Sequence, residues 1–211
     1  MNSATRNHRY HHGNLRTALV EAGTALAREG GPSAMVLREA ARRVGVSPNA
    51  AYRHFTALPD LIEAVAAEAR TALARSMQDE IAHSLPAADP GQAAIELLGA
   101  VGRGYVQFAL REPGLFAVAF SAKMAAPPLP CGPSEASRTS PGELLEGALD
   151  AMIAAGILAV DKRDAAAVTA WAAVHGLAQL LLGPLAGMPA TDRDELINSC
   201  LDLVGVGLIS R

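Results

Sequence analysis

The chain has 211 residues, half of them apolar but only 4% aromatic, with a net charge of −3. That is enough apolar material for one sizeable core or two small ones, and an Ala- and Leu-rich, aromatic-poor composition favours helix packing over sheet. Cys131 and Cys200 stand far apart with no C-x-x-C pair, which argues against a disulfide framework or a zinc site and fits a reducing cytoplasm.

The modest net charge hides an asymmetry. Residues 1–57 hold eight arginines against three acids, a balance of +5, with four histidines besides. Residues 58–211 hold ten basic residues against eighteen acids, a balance of −8. The first segment suits a polyanion and the remainder does not. No apolar h-region opens the chain, so no secretory signal is expected. The longest apolar run, Ala165–Leu185, is interrupted by His175, Gln179 and Gly183 and reads as a buried or interface helix too short in apolar character to span a bilayer.

Residues 1–12 read as a basic arm. His8, His11 and His12 lack a cysteine or carboxylate beside them, so a phosphate-seeking arm is expected rather than a metal site. A first helix is expected from about Asn14 to Glu29, with Leu15, Ala18, Leu19, Ala22, Ala25 and Leu26 inward and Gly30, Gly31 and Pro32 ending it. Leu37, Ala40, Ala41 and Val44 then follow at i, i+3, i+4 and i+7, the inward stripe of a second helix. Gly45 supplies a left-handed stop and Val46 an apolar plug. Ser47 and Pro48 are a start signal: a side-chain cap, then a residue whose missing N–H costs nothing at the first helical position.

In the third helix Ala51 and Phe55 face inward, which leaves Asn49, Ala50, Tyr52, Arg53 and His54 outside. Such residues donate to phosphates, pair with base edges or offer a small apolar surface to a thymine methyl. Two short helices joined this way predict a helix-turn-helix that reads DNA, an ordinary helical hairpin with a solvated face being the other reading.

The order Arg38-Glu39-x-Ala41, Gly45-Val46-Ser47 and Tyr52-x-His54-Phe55 resembles the DNA-binding domain of the tetracycline-repressor (TetR) family, and Tyr10 to Arg16 resembles the lead-in of one branch of it. The match covers about the first quarter of the chain. It departs at two places: Met35, Val36 and Leu37 stand where many members carry a Thr or Ser, and Leu58 stands where many carry a Lys, both usual phosphate contacts. The resemblance implies base or groove contacts from Arg38, Asn49, Ala50, Tyr52 and Arg53. It implies phosphate contacts from Ser47, His54 and the arm residues Arg9, Tyr10, His11 and His12.

A long fourth helix is expected over 58–83, a fifth over 91–112, and a short apolar stretch over Leu115–Met124 with Phe116 and Phe120 one turn apart. Residues 125–142, rich in Pro, Ser and Gly, read as a surface loop. Helices at about 142–156, 162–183 and 191–209 complete an all-α chain of about nine helices. The expected organisation is an arm at 1–12, a helix-turn-helix domain at 13–57 and a ligand-binding and dimerisation domain at 58–211.

Trp171, His175 and Gly176 resemble the Trp-His-Gly signature of one TetR ligand-domain type. Trp171 and His175 share a helix face at i, i+4, either at the wall of a small-molecule cavity or as a packing indole and a core imidazole bonded to a backbone carbonyl. Tyr105, Phe108, Phe116, Phe120, Met124 and Met152 are further pocket candidates, with plain core as the competing reading. The chain has no G-x-S-x-G elbow, Walker loop or H-E-x-x-H. Gly102-Arg103-Gly104 and Gly205-Val206-Gly207 are incomplete fingerprints, so no enzyme, cofactor or metal is expected.

The expected protein is a homodimeric regulator, most readily a repressor, that binds a palindromic DNA operator and leaves it when a partly apolar small molecule binds. Helices 162–183 and 191–209 would pair with a second copy through Ala172, Leu177, Leu180, Leu181, Leu201, Val204 and Leu208. A helical small-molecule-binding protein or enzyme with only non-specific DNA affinity is the alternative.

Overall fold

The computed structural model describes residues 15–84, 87–121 and 139–209. Nine α-helices and one 3-10 turn, with no strand, make up the regular structure among the described residues. The arm residues Arg9, Tyr10, His11 and His12, together with Met124, Cys131 and most of the 125–142 loop, lie outside them.

α1 (Leu15–Ala34) is one helix up to Glu29. Gly30 and Gly31 then leave helical geometry, Gly31 with φ 65°, before a single turn carries the chain to Ala34. The expected stop is therefore a break. Leu15, Leu19 and Leu26 are buried, and Gly23 lets α1 approach so closely that a Cβ there would meet Val65 at 2.9 Å. α2 (Leu37–Val44) ends at Gly45 with φ 77°, where Val46 N–H reaches Ala41 O at 3.0 Å and Gly45 N–H reaches Arg42 O at 3.1 Å. Its N-terminus begins at Val36 with no side-chain cap, the local consequence of the missing Thr or Ser.

α3 (Pro48–Tyr52) starts as expected. Ser47 Oγ accepts from Ala50 N–H at 3.3 Å. Phe55, just past its end, is fully buried and seals the three-helix corner. α4 (Leu58–His83) is the 26-residue element expected, opened by Asp60, whose carboxylate accepts from Ala57 N–H at 3.0 Å. Its N-terminal half packs on α1 through Leu61 and Val65.

Its C-terminal half crosses α5 (Pro90–Arg111) backbone to backbone. A Cβ on Gly104 would lie 2.6 Å from Ser76 O, so only glycine permits the crossing. Ser76 Oγ donates to Gly104 O at 2.8 Å and accepts from Arg111 at 2.7 Å, which satisfies the buried hydroxyl. α6 (Pro113–Ala119) then turns back onto α1. Glu112 pairs with Arg28 at 2.9 Å, and Gly114 sits so tightly on Ala27 that a Cβ would come within 2.0 Å of its carbonyl oxygen.

α7 (Pro141–Ala154) opens with a reciprocal cap between Ser140 and Glu143 and is followed by Gly156 at φ 73°. After the 3-10 turn at Val160–Lys162 come α8 (Arg163–Leu182) and α9 (Ala190–Gly207). Asp192 lies in the first turn of α9, the helix having begun after Pro189.

Within 160–182 an 18-residue stretch reaches a mean hydropathy of 1.5, sufficient by length and composition alone to cross a bilayer, which corrects the expectation that no run is long enough. In the fold this helix turns Ala166, Ala167, Ala170, Leu177, Ala178 and Leu181 into the protein's own interior. The proposed interface residues are likewise divided. Leu177, Leu181 and Leu201 are buried in a small second core with Val106 and Ile197, whereas Ala172 and Leu180 remain exposed. Val168, Leu203 and Val206 add to the outward apolar surface of α8 and α9.

Candidate nucleic-acid interface and ligand site

α3 turns Ala51 inward with no exposure and leaves Asn49, Tyr52, Arg53 and His54 exposed, Tyr52 at 42% despite its ring. Ala50 is half-buried at the edge of this face. Arg38, in the first turn of α2, is exposed, and neither it nor Arg53 makes an ion pair among the described residues. Asn49, Tyr52, Arg53 and His54 are thus exposed on α3 and just beyond it, with Ala51 and Phe55 buried beneath them.

The charge on that corner is more selective than a count suggests. Arg42 donates to Glu39 at 2.7 Å, and Arg43 to Glu39 at 3.1 Å and to Glu29 at 2.6 Å. Hydrogen bonds from Arg42 and Arg43 hold the Glu39 carboxyl down at about 2, and Arg43 lowers that of Glu29 in the same way. Arg42 and Arg43 are therefore spent on neighbours, which the i+3 and i+4 spacing from Glu39 announces. Arg16 is a further cation beside this corner that the helix-turn-helix motif does not mark. It is exposed at the start of α1, with its guanidinium 5.0 Å from the centre of the Phe55 ring. Leu58, where a phosphate-binding lysine is common, is half-buried against the main core.

A second constellation lies in the C-terminal part. Five rings gather from α5, the α6 region and α8. The imidazole of His175 sits within 5.2 to 6.3 Å of Tyr105, Phe116, Phe120 and Trp171. Tyr105 also meets Phe116 edge-on at 5.6 Å. The Tyr105 hydroxyl lies 2.8 Å from His175 Nδ1. The partner of the imidazole is thus a side chain 70 positions away, where the core reading offered a backbone carbonyl. Gln179, one turn beyond His175, brings its amide to 3.5 Å from Nε2 and was not singled out in the sequence, although it repeats the i+4 spacing of Trp171 and His175.

Burial pushes the Tyr105 phenol above its ordinary range, while a hydrogen bond from Trp171 acts in the opposite direction. Burial likewise lowers His175 below 6.5, which leaves it neutral at pH 7. Phe116 and Tyr105 are almost wholly buried, whereas Phe120, Trp171 and His175 are half-buried and form the accessible side of the cluster. Phe108 and Met152 are buried in the main core.

Residues 98–204 match a family model described as tetracyclin repressor-like, C-terminal domain, and residues 19–65 match the model of bacterial regulatory proteins, tetR family. Among solved structures the chain is similar to a protein of unknown function from Rhodococcus sp. RHA1. The two are 26% identical with a TM-score of 0.67, over 96% of this chain and all of that one. It also shares its fold with a protein described provisionally as the regulatory protein SCO4313, at 18% identity and a TM-score of 0.59, over 91% of this chain and 95% of that one. No curated protein matches.

Proposed function

The chain belongs to the TetR family of bacterial regulatory proteins and is a DNA-binding transcriptional regulator, and we propose that it works as a homodimeric repressor released from a palindromic operator by a small, partly apolar effector. The observation that carries this reading is the α3 surface: Asn49, Tyr52, Arg53 and His54 exposed above a buried Ala51 and Phe55, capped by Ser47. Arg38, Asn49, Ala50, Tyr52 and Arg53 take the base or groove contacts. Ser47, His54 and the arm residues Arg9, Tyr10, His11 and His12 take phosphates, and Pro48 sets the entry of the recognition helix. The arm comprises residues 1–12, the DNA-binding domain 13–57 and the ligand-binding and dimerisation domain 58–211.

One three-helix corner reads few base pairs. Two copies related by a twofold axis read successive major grooves about 34–36 Å apart. The outward Val168, Ala172, Leu180, Leu203 and Val206 of α8 and α9 support a second copy as the partner of that face. The effector is placed at the rings of Tyr105, Phe116, Phe120, Trp171 and His175. Its binding favours a domain arrangement in which α4 has swung and the two recognition helices no longer fit the half-site spacing.

Selection of bound duplexes from a random pool by the full-length protein tests the reading. An enriched palindrome supports a sequence-specific dimer. Weak, salt-sensitive binding to every duplex without enrichment overturns it and favours a small-molecule-binding protein with backbone affinity only. An operator affinity indifferent to every ligand held at the ring cluster removes the release step alone.

A further inference from the structure

The ring cluster carries a direction. The Tyr105 phenol is almost wholly buried, so its proton needs an acceptor, and His175 Nδ1 lies within its reach. The phenol keeps its proton and donates it to His175 Nδ1, 2.8 Å away. A neutral imidazole has one proton, and with Nδ1 accepting, that proton resides on Nε2. The relay from Tyr105 to His175 therefore ends in an Nε2 N–H on the side of the exposed Gln179. Gln179 comes to 3.5 Å from that nitrogen, the outer limit of a hydrogen bond, and with Nε2 protonated only its amide oxygen, turned inward, accepts there, a weak bond that a better-placed acceptor displaces.

The imidazole that carries this donor is flanked by the rings of Phe116, Phe120 and Trp171, their centres 5.4, 5.2 and 6.3 Å from its own. None of the residues in the relay or the ring set carries a positive charge. A carboxylate placed there would lose water in exchange for a single neutral N–H, which does not offset its desolvation. A carbonyl oxygen loses far less and gains the hydrogen bond.

We propose that the effector is an uncharged aromatic molecule with an exocyclic carbonyl oxygen, its ring held against Phe120, Phe116 and Trp171 and its oxygen accepting from His175 Nε2. The inference rests on the ring cluster being the effector site and deepens that reading by naming the ligand class. Tyr105 is the positioning residue: by taking Nδ1 it fixes which nitrogen faces the ligand.

Equilibrium dialysis of the full-length protein with three matched probes tests it: 2-acetylnaphthalene, 2-ethylnaphthalene and 2-naphthoate. The ketone is expected to bind about tenfold more tightly than the hydrocarbon, the scale of one net hydrogen bond. His175→Phe keeps a ring and loses the donor, so the ratio should fall to about one while the hydrocarbon is retained. Tyr105→Phe leaves the proton free to occupy either nitrogen. It should lower the ratio several-fold and shift the imidazole nitrogen resonances toward a tautomer mixture, a readout that lost packing alone does not produce. It also carries the comparison should His175→Phe fail to fold.

Equal binding of ketone and hydrocarbon by the unaltered protein overturns the ligand class and leaves the site. Tightest binding of the naphthoate overturns the uncharged character. Retention of none of the three overturns the ring cluster as a site altogether.

Discussion

The corner formed by α2 and α3 and the ring cluster of α5, α6 and α8 are both built on i+4 spacings, but they direct their polar groups oppositely. The corner buries its small and apolar residues, Ala51 and Phe55, and turns Asn49, Tyr52, Arg53 and His54 to solvent. The cluster buries Tyr105 and closes its polar atoms on one another, so that a single imidazole nitrogen is left toward the outside. A surface that meets a large, hydrated, charged partner keeps many weak donors solvated until contact. A site for a small partner fixes few donors and surrounds them with rings. The same helical periodicity serves both ends, and what separates them is which side of the helix the fold covers.

Between the two regions lies the contact of α6 with α1, and breaking it should have the largest effect. Gly114→Ala places a methyl within 2.0 Å of the Ala27 carbonyl oxygen, where backbone rather than a flexible side chain must move. A loss of about 3 kcal/mol is expected, at the upper end for overpacking, read by denaturant unfolding. Gly147→Ala is the control. Gly147 is in the interior of α7 with open space around it, so the alanine should stabilise by about 0.5–1 kcal/mol. Equal effects at the two sites would mean that α6 does not hold α1 as tightly as the geometry requires.

The corner can be sharpened without touching the cluster. Tyr52→Ala should weaken binding to the selected operator by about 1–3 kcal/mol in fluorescence anisotropy, with Arg53→Ala also weakening it. Because Tyr52 is exposed, the unfolding midpoint should scarcely change. Unaltered affinity in both variants would move the recognition surface away from α3. Ser47→Ala should cost about 1 kcal/mol of stability by removing the acceptor for Ala50 N–H, and it should weaken operator binding as the helix frays. A variant as stable as the parent would show that Pro48 alone sets the start of α3.

The corner was legible in the sequence because its determinants are local. Gly45, Ser47 and Pro48 act within one turn of themselves, and the Ala51 and Phe55 spacing settles which side is buried. Helix lengths elsewhere followed from the same kind of signal, and α4 falls on the expected 58–83. What could not be read there depends on distant pairing. Trp171 and His175 are sequence neighbours on one face, but the partner of the imidazole is Tyr105, and nothing near either residue names the other. The apolar residues of α8 and α9 divide for a similar reason. Leu177 and Leu180 are equally apolar in sequence, and only the placement of Val106 and Ile197 decides that Leu177 is covered and Leu180 is not. The arginine count misled in the opposite sense, since Arg42 and Arg43 are held by Glu39 and Glu29 and the corner presents Arg38, Arg53 and Arg16 instead.

The smallest expected effect distinguishes the two regions by pH. Glu39 titrates at about 2 in the folded protein against 4.5 when unpaired, so its contribution is complete above about pH 4.5 and is lost as the pH falls toward 2. His175 works in another window. Its folded value lies below 6.5, so at pH 7 and above both folded and unfolded states carry it neutral. As the pH falls through 6.5 the unfolded chain takes up the proton first, and stability declines until the folded imidazole also protonates. Thermal unfolding of the parent and of His175→Phe between about pH 7.5 and 5.5 should therefore diverge, with the parent losing more on acidification. The divergence should be slight, because the imidazole is only half-buried and solvent screens much of the difference. Protonation also converts Nδ1 from acceptor to donor, so the Tyr105 bond must reverse its sense, and acid should weaken the cluster before it reaches the ion pairs of the corner. Parallel curves for the two proteins would mean that His175 exchanges protons as freely in the fold as out of it, and the fixed Nε2 donor would go with them.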